Sequence, residues 1–164
     1  MNNELPQIYC DMDQVLVNFI GGANKVLVAR GLQPFQHTEK DVKWEALSSV
    51  PKFWANLEPM PDAMMLWRYI KPHNAYVLST PSKRMVTCKP EKLEWIRKHL
   101  GNVEKIYLVP REDKQKFAVD KEGNPNLLID DYEKNIKEWV SAGGIGIRHI
   151  NSMNTISQLR KLGY

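Results

Sequence analysis

Two carboxylates one residue apart, Asp11 and Asp13, interrupt an otherwise apolar stretch. Ile8-Tyr9-Cys10 runs into them, and Val15-Leu16-Val17 resumes behind them. Side chains at i and i+2 of an extended segment leave from the same face. Asp11 and Asp13 can therefore project together from the end of a buried strand. Like charges so placed repel each other, and desolvation adds to the cost. A bound cation offsets both effects, so the pair points to Mg²⁺-dependent chemistry.

Other polar residues close apolar runs in the same way. Ser79-Thr80 follows Tyr76-Val77-Leu78, and Asp130-Asp131 follows Leu127-Leu128-Ile129. Lys114 lies in the connection after the apolar run 105–109. Singly, each has an ordinary explanation: a turn or N-cap for Ser79-Thr80, a capping pair for Asp130-Asp131, a solvated lysine for Lys114. Their joint occurrence at strand ends, in this order, is hard to attribute to chance. In open α/β sheets the ligand site lies beyond the carboxyl ends of the strands, near the point where strand order reverses.

The elements that would position these residues follow from periodicity and punctuation. Strands are expected over 7–12, 75–78, 105–109, 127–129 and 145–148. Helical patterns cover 15–29, stopped by Gly31, and 38–47, opened by the capping residues Thr38 to Asp41. A short helix is expected at 51–57, and another runs from Pro61 to Ile70. Pro90 and Gly101 frame a helix over 91–100, and further helices are expected at 132–142 and 154–162. A turn at 121–125 closes a small hairpin. Gly143-Gly144-Ile145-Gly146 lacks the layout of a dinucleotide loop and is expected to be a helix-to-strand turn. Trp95 and Trp139 look like helix-to-sheet packing residues.

Short apolar strands alternating with helices imply an α/β fold: a Rossmann-like parallel sheet flanked by helices. The stretch 19–71 has helices but no clear strand. It is expected to be a small helical cap inserted after the first strand, leaving 1–18 and 72–164 as the core domain.

Composition narrows the class. The 164 residues, 43% hydrophobic and 26% charged, suit one soluble domain with a small insertion. No 18-residue apolar run is present, so no membrane partner is expected. The N-terminus lacks the basic and apolar regions of a signal peptide, and two cysteines make no disulfide framework. A cytoplasmic location is the expectation. The excess of 23 basic over 19 acidic residues, net +4, is scattered along the chain. Nucleic acid is thus a disfavoured partner, and a homodimer is left open. The four histidines show no metal-ligand spacing.

The motifs together resemble the haloacid dehalogenase (HAD) superfamily of aspartate-nucleophile phosphatases. Asp11-Met12-Asp13-Gln14-Val15-Leu16 matches its first motif, Ser79 its second, Lys114 in Arg111–Lys114 its third, and Asp130-Asp131 its fourth. Within it, the chain resembles the 5′(3′)-deoxyribonucleotidase family. That likeness rests on the opening motif as far as Phe19, on the stretch from Phe53 to Ala63, and on the 35-residue spacing from Ser79 to Lys114.

The resemblance implies that Asp11 is the nucleophile and Asp13 the general acid and base. It implies a Mg²⁺ cofactor held by Asp11, by the backbone carbonyl of Asp13 and by Asp130 or Asp131, with Asp131 favoured. Ser79, Thr80 and Lys114 would bind the phosphate. The substrate would be a (deoxy)nucleoside monophosphate, with the base contacted by Phe19, Trp44 and Trp54 of the cap. Two departures stand out: Gln14 replaces a common glycine, and the longer stretch from Lys114 to Asp130 leaves Lys116 as an alternative to Lys114. Polynucleotide 3′-phosphates, other small phosphoesters, and a non-catalytic nucleotide-binding role remain as alternatives.

Overall fold

Residues 4–164 are described by a computed structural model; the first three residues of the expected core stretch 1–18 lie outside the described residues. The strands are β1 (Ile8–Cys10), β2 (Tyr76–Ser79), β3 (Ile106–Leu108), β4 (Leu127–Asp130) and β5 (Ile145–Arg148). The helices are α1 (Phe19–Ala29), α2 (Lys40–Ser48), α3 (Ala63–Ile70), α4 (Cys88–His99), α5 (Glu133–Ser141) and α6 (Ser152–Lys161). Short 3₁₀ turns span Lys71–His73 and Arg111–Phe117.

All five strands pair in parallel, in the order β3-β2-β1-β4-β5. Tyr9 of β1 lies between Tyr76 of β2 and Leu128 of β4. Alternation along the strands sorts side chains onto two apolar faces. Ile8, Cys10, Val77, Leu127 and Ile129 face a large core that includes Trp95, Ile156 and Leu159 from the helices. Tyr9, Tyr76, Leu78 and Leu128 face a smaller one built on Trp139 and Ala118. Trp95 and Trp139 are both fully buried. The continuous apolar character of β1, β2 and β4 follows from this double coverage.

Two helical expectations are corrected. The helix expected from 15 begins only at Phe19, where Asn18 caps it by accepting from the Gly21 N–H at 3.0 Å. Val15, Leu16 and Val17 instead form a tight buried loop. Residues 51–57 form turns rather than a helix, with Lys52 at φ +53°. Their spacing of apolar residues serves burial, with a single helical turn closed by the Asn56 N–H on the Lys52 carbonyl at 3.1 Å.

Within the 19–71 stretch, α1 and α2 pack on each other, whereas α3 packs on α6. Leu66 and Ile70 of α3 are fully buried. Asp62, just before α3, accepts from the Ser152 N–H at 2.6 Å and so ties α3 to the start of α6.

Candidate active site

The sheet fixes the backbone of the site before any side chain is considered. The Asp11 N–H donates to the Ile129 carbonyl at 2.9 Å and extends the β1–β4 ladder by one residue. The His149 N–H does the same to the Asp130 carbonyl at 2.9 Å. Beyond Asp11 the chain turns back sharply. The Met12 carbonyl accepts from the N–H groups of Val15, Leu16 and Val17 at 3.1, 2.8 and 2.9 Å. Gln14 takes up the turn at φ +62°, and its side-chain oxygen accepts from the Ile20 N–H at 2.9 Å. The left-handed backbone accounts for the glycine common at this position in the resembled family.

Lys114 comes in from the 3₁₀ turn Arg111–Phe117. Its ammonium lies 2.9 Å from Asp11 Oδ1 and 2.8 Å from Asp130 Oδ2, buried from solvent. Lys116, the alternative lysine, is exposed and pairs with Asp113 at 2.7 Å. Asp130 is enclosed by protein donors: Asn135 Nδ2 reaches Oδ2 at 2.9 Å, and the Tyr132 N–H reaches Oδ1 at 2.9 Å. Asp131 is half-buried and lines the open pocket.

Asp11, Asp130 and Asp131 each present a carboxylate oxygen, and these three atoms lie within 4.8 Å of one another. Burial, then the charges of Asp11 and Asp130, push the Asp131 carboxyl up to about 7. Burial, then Asp11, push Asp130 up to about 6 against the opposing pull of Lys114. Burial works against the charge of Lys114, but Asp11 and Asp130 outweigh it and raise its pKa. Three carboxylates facing one lysine leave a negative site of hard oxygen donors. Such a set fits a small divalent cation.

A pocket of about 290 Å³ opens beside this cluster. Asp11, Asp13, Thr80, Lys114 and Asp131 line it, and Gln14, Arg111, Tyr132 and Asn135 complete the wall. Asp13 Oδ1 and Thr80 Oγ1 are buried without a hydrogen-bond partner among the described residues. Buried polar atoms are normally paired, so two unpaired ones in a single pocket wall mark a place for a polar ligand. Burial raises the pKa of Asp13, with Lys92 pulling the other way.

Lys92 itself has no place in the sequence motifs. Its ammonium donates to Asp13 Oδ2 at 2.7 Å and to Ser79 Oγ at 2.9 Å, and the residue is only 1% exposed. One signal was present. Cys88, Lys92, Trp95 and Ile96 fall on one buried helical stripe, and a lysine within such a stripe needs a partner.

The aromatic residues stand elsewhere. Phe19 stacks on Trp54, ring centroids 4.9 Å apart and planes within 7°. Trp44 stacks on Phe19 at 6.2 Å, and Phe35 and Phe53 meet Phe19 edge-on. Phe19 and Trp54 are buried, Trp44 is half-buried, and none of the three lines the pocket. The rings satisfy one another, which leaves no Phe19 or Trp54 face open to a base in this arrangement.

The family model for 5′ nucleotidase, deoxy (pyrimidine), cytosolic type C protein matches residues 5–160. No curated protein matches the chain. Among solved structures, a hydrolase from Streptococcus pneumoniae TIGR4 aligns with a TM-score of 0.60 at 11% identity, covering 96% of this chain and 99% of its own. L-2-haloacid dehalogenase from Xanthobacter autotrophicus aligns at 0.59 and 12% identity, covering 98% of this chain and 84% of its own. A HAD family hydrolase from Deinococcus radiodurans R1, solved with bound phosphate and sodium, aligns at 0.55 and 17% identity, covering 98% and 89%. At such identities the structural likeness is one of fold. With the family model matching residues 5–160 of this chain and the HAD fold in place, the chain belongs to the deoxy (pyrimidine) cytosolic type C 5′ nucleotidases, phosphoric monoester hydrolases of the HAD superfamily.

Proposed function

We propose that the protein is a Mg²⁺-dependent phosphatase of (deoxy)nucleoside monophosphates that works through an aspartyl-phosphate on Asp11. One observation carries this reading: a carboxylate nucleophile, its neutralising lysine, a trio of cation-binding oxygens and an unpaired acid oxygen meet in one pocket.

Asp11 attacks the phosphorus, a known use of carboxylates. As the new Asp11 O–P bond forms, the P–O ester bond breaks and the departing oxygen takes the proton of Asp13. Burial, which raises the Asp13 pKa, favours the protonated form needed for that step. Asp13, now ionised, takes a proton from water; the water oxygen attacks phosphorus and frees Asp11 and inorganic phosphate. Lys114, 2.9 Å from Asp11, offers charge to the phosphoryl oxygens. The Thr80 hydroxyl is free to donate to the same oxygens; Ser79 contributes from behind, through its bond to Lys92.

Asp11 and Asp131 would hold Mg²⁺ with the Asp13 carbonyl, because the oxygens of Asp130 are already engaged by Lys114, Asn135 and the Tyr132 amide. When bound, the ion shields the nucleophile from the phosphate and stabilises charge in the transition state. The nucleoside leaves the pocket past Gln14, Arg111 and the exposed ring of Tyr132. A base contact at Phe19 requires that ring to part from Trp54. A cytoplasmic setting agrees with the family description and with two buried, unpaired cysteines.

A substrate panel tests the reading: dUMP, dTMP, 3′-nucleotides and 3′-phosphorylated oligonucleotides, each with Mg²⁺ or EDTA. The expected result is phosphate release from mononucleotides with Mg²⁺ and none with EDTA. Preference for the oligonucleotides would overturn the substrate class, and metal-independent turnover would overturn the cofactor.

A further inference from the structure

We propose that Lys92 is a positioning residue for the acid–base step: it grips Asp13 by Oδ2 so that Oδ1 alone faces the reacting oxygen. This rests on the phosphatase reading above and adds a residue to it. A lysine 1% exposed has given up its hydration, and its partners must replace that hydration. Among the described residues, only Asp13 Oδ2, at 2.7 Å, and Ser79 Oγ, at 2.9 Å, bond it. The carboxylate is thereby held at one end, while its other oxygen, Oδ1, is buried and unpaired.

The lysine is itself held from two sides. The Trp54 ring lies under the ammonium, 4.9 Å from nitrogen to centroid. The Trp54 backbone N–H donates at 2.8 Å to the carboxylate of Glu91, the neighbour of Lys92 on α4. Lys92 therefore cannot swing away without disturbing Trp54, and Asp13 inherits that rigidity. Placing a general acid within reach of its target is a geometric demand before it is a matter of pKa.

A neutralising role and a positioning role differ in what they do to different esters. In the first half-reaction the Asp11 O–P bond forms, the ester P–O bond breaks, and the leaving oxygen takes the Asp13 proton. A nucleoside alkoxide needs that proton. A p-nitrophenolate is stable enough to leave without it. The specificity constant kcat/KM reports this half-reaction for both.

The test measures kcat/KM for dUMP and for p-nitrophenyl phosphate, with Mg²⁺, in wild type, K92M and K92Q. The ratio of the two constants is independent of the fraction of each variant that folds. Loss of the placed acid is expected to lower the dUMP constant about 100-fold and the p-nitrophenyl constant less than about tenfold. K92Q, which keeps a donor, loses less. Equal losses on both esters would overturn the positioning role while leaving the phosphatase reading intact. A wild type that hydrolyses neither ester overturns both. A crystal structure of K92M supplies the independent arm: the Asp13 carboxylate is expected to turn from its wild-type position, and an unmoved Asp13 would overturn the proposal whatever the rates.

Discussion

Gln14 holds a left-handed backbone between the acid–base residue Asp13 and the buried Val15. Glycine adopts such a conformation without a Cβ penalty, so the glutamine needs a return. Its side chain supplies one by accepting from the Ile20 N–H at the start of α1. Q14A keeps the backbone conformation and removes the acceptor; it should lower stability by about 1 kcal/mol in urea unfolding. Lys114 is a sharper case. Removing it as K114M leaves Asp11 and Asp130 buried without their common cation. Loss of one partner from a buried pair costs about 3–5 kcal/mol. Denaturant unfolding in EDTA should show that loss, and added Mg²⁺ should recover part of it. At the acid, Asp13→Asn should lower kcat for dUMP by about 10²–10⁴-fold; a change under about tenfold would remove Asp13 from the acid–base role.

The α5–β5 turn shows what an element requires of its glycines. A Cβ on Gly144 would come within 2.2 Å of Trp139 Nε1 and 2.9 Å of the Ala118 carbonyl. Trp139 is fully buried and donates to the Asn126 carbonyl at 3.1 Å, so it cannot retreat freely. G144A should therefore cost about 1–3 kcal/mol as overpacking, read as a drop in the urea midpoint with unchanged slope. This turn was legible in the sequence because two adjacent glycines ended a periodic helix before an apolar strand. The start of α1 was not. Val15, Leu16 and Val17 continue the apolar spacing of the helix behind them, yet they are buried by the loop that hangs on the Met12 carbonyl. Only Asn18, a capping residue with Gly21 three positions on, marked the true start. Residues 51–57 misled for a related reason: Phe53, Trp54 and Leu57 are spaced like a helical face, but burial of a turn can produce the same spacing.

At the scale of the whole molecule, the strand order β3-β2-β1-β4-β5 sets β1 between β2 and β4. The carboxyl ends of those three strands carry Asp11, Ser79 and Asp130, which is why residues far apart in sequence meet around one pocket. Apolar runs ending in polar pairs made that convergence readable. Lys92 was not readable in the same way, because it reaches the edge from a helix flanking the sheet rather than from a strand end. The gathered carboxylates also couple stability to pH. Asp131 sits at about 7 in the fold, against about 3.9 in an unfolded chain. Folding thus favours its protonated form, and that contribution to stability is lost as pH rises through 7. Mg²⁺ binds the ionised form, so its gain in Tm over EDTA should be larger near about pH 8 than near about pH 5.5; equal gains would argue against a carboxylate site. The decisive bond is the one from Asp11 to phosphorus. Radiolabelled p-nitrophenyl phosphate, acid-quenched on the Asp13→Asn protein, gives the measurement: a leaving group that needs no proton should load Asp11, and the missing base should slow its release. Label is expected in the peptide that carries Asp11 and not in a protein that also has Asp11→Asn; turnover with no labelled enzyme, or label on another residue, would contradict an aspartyl-phosphate on Asp11.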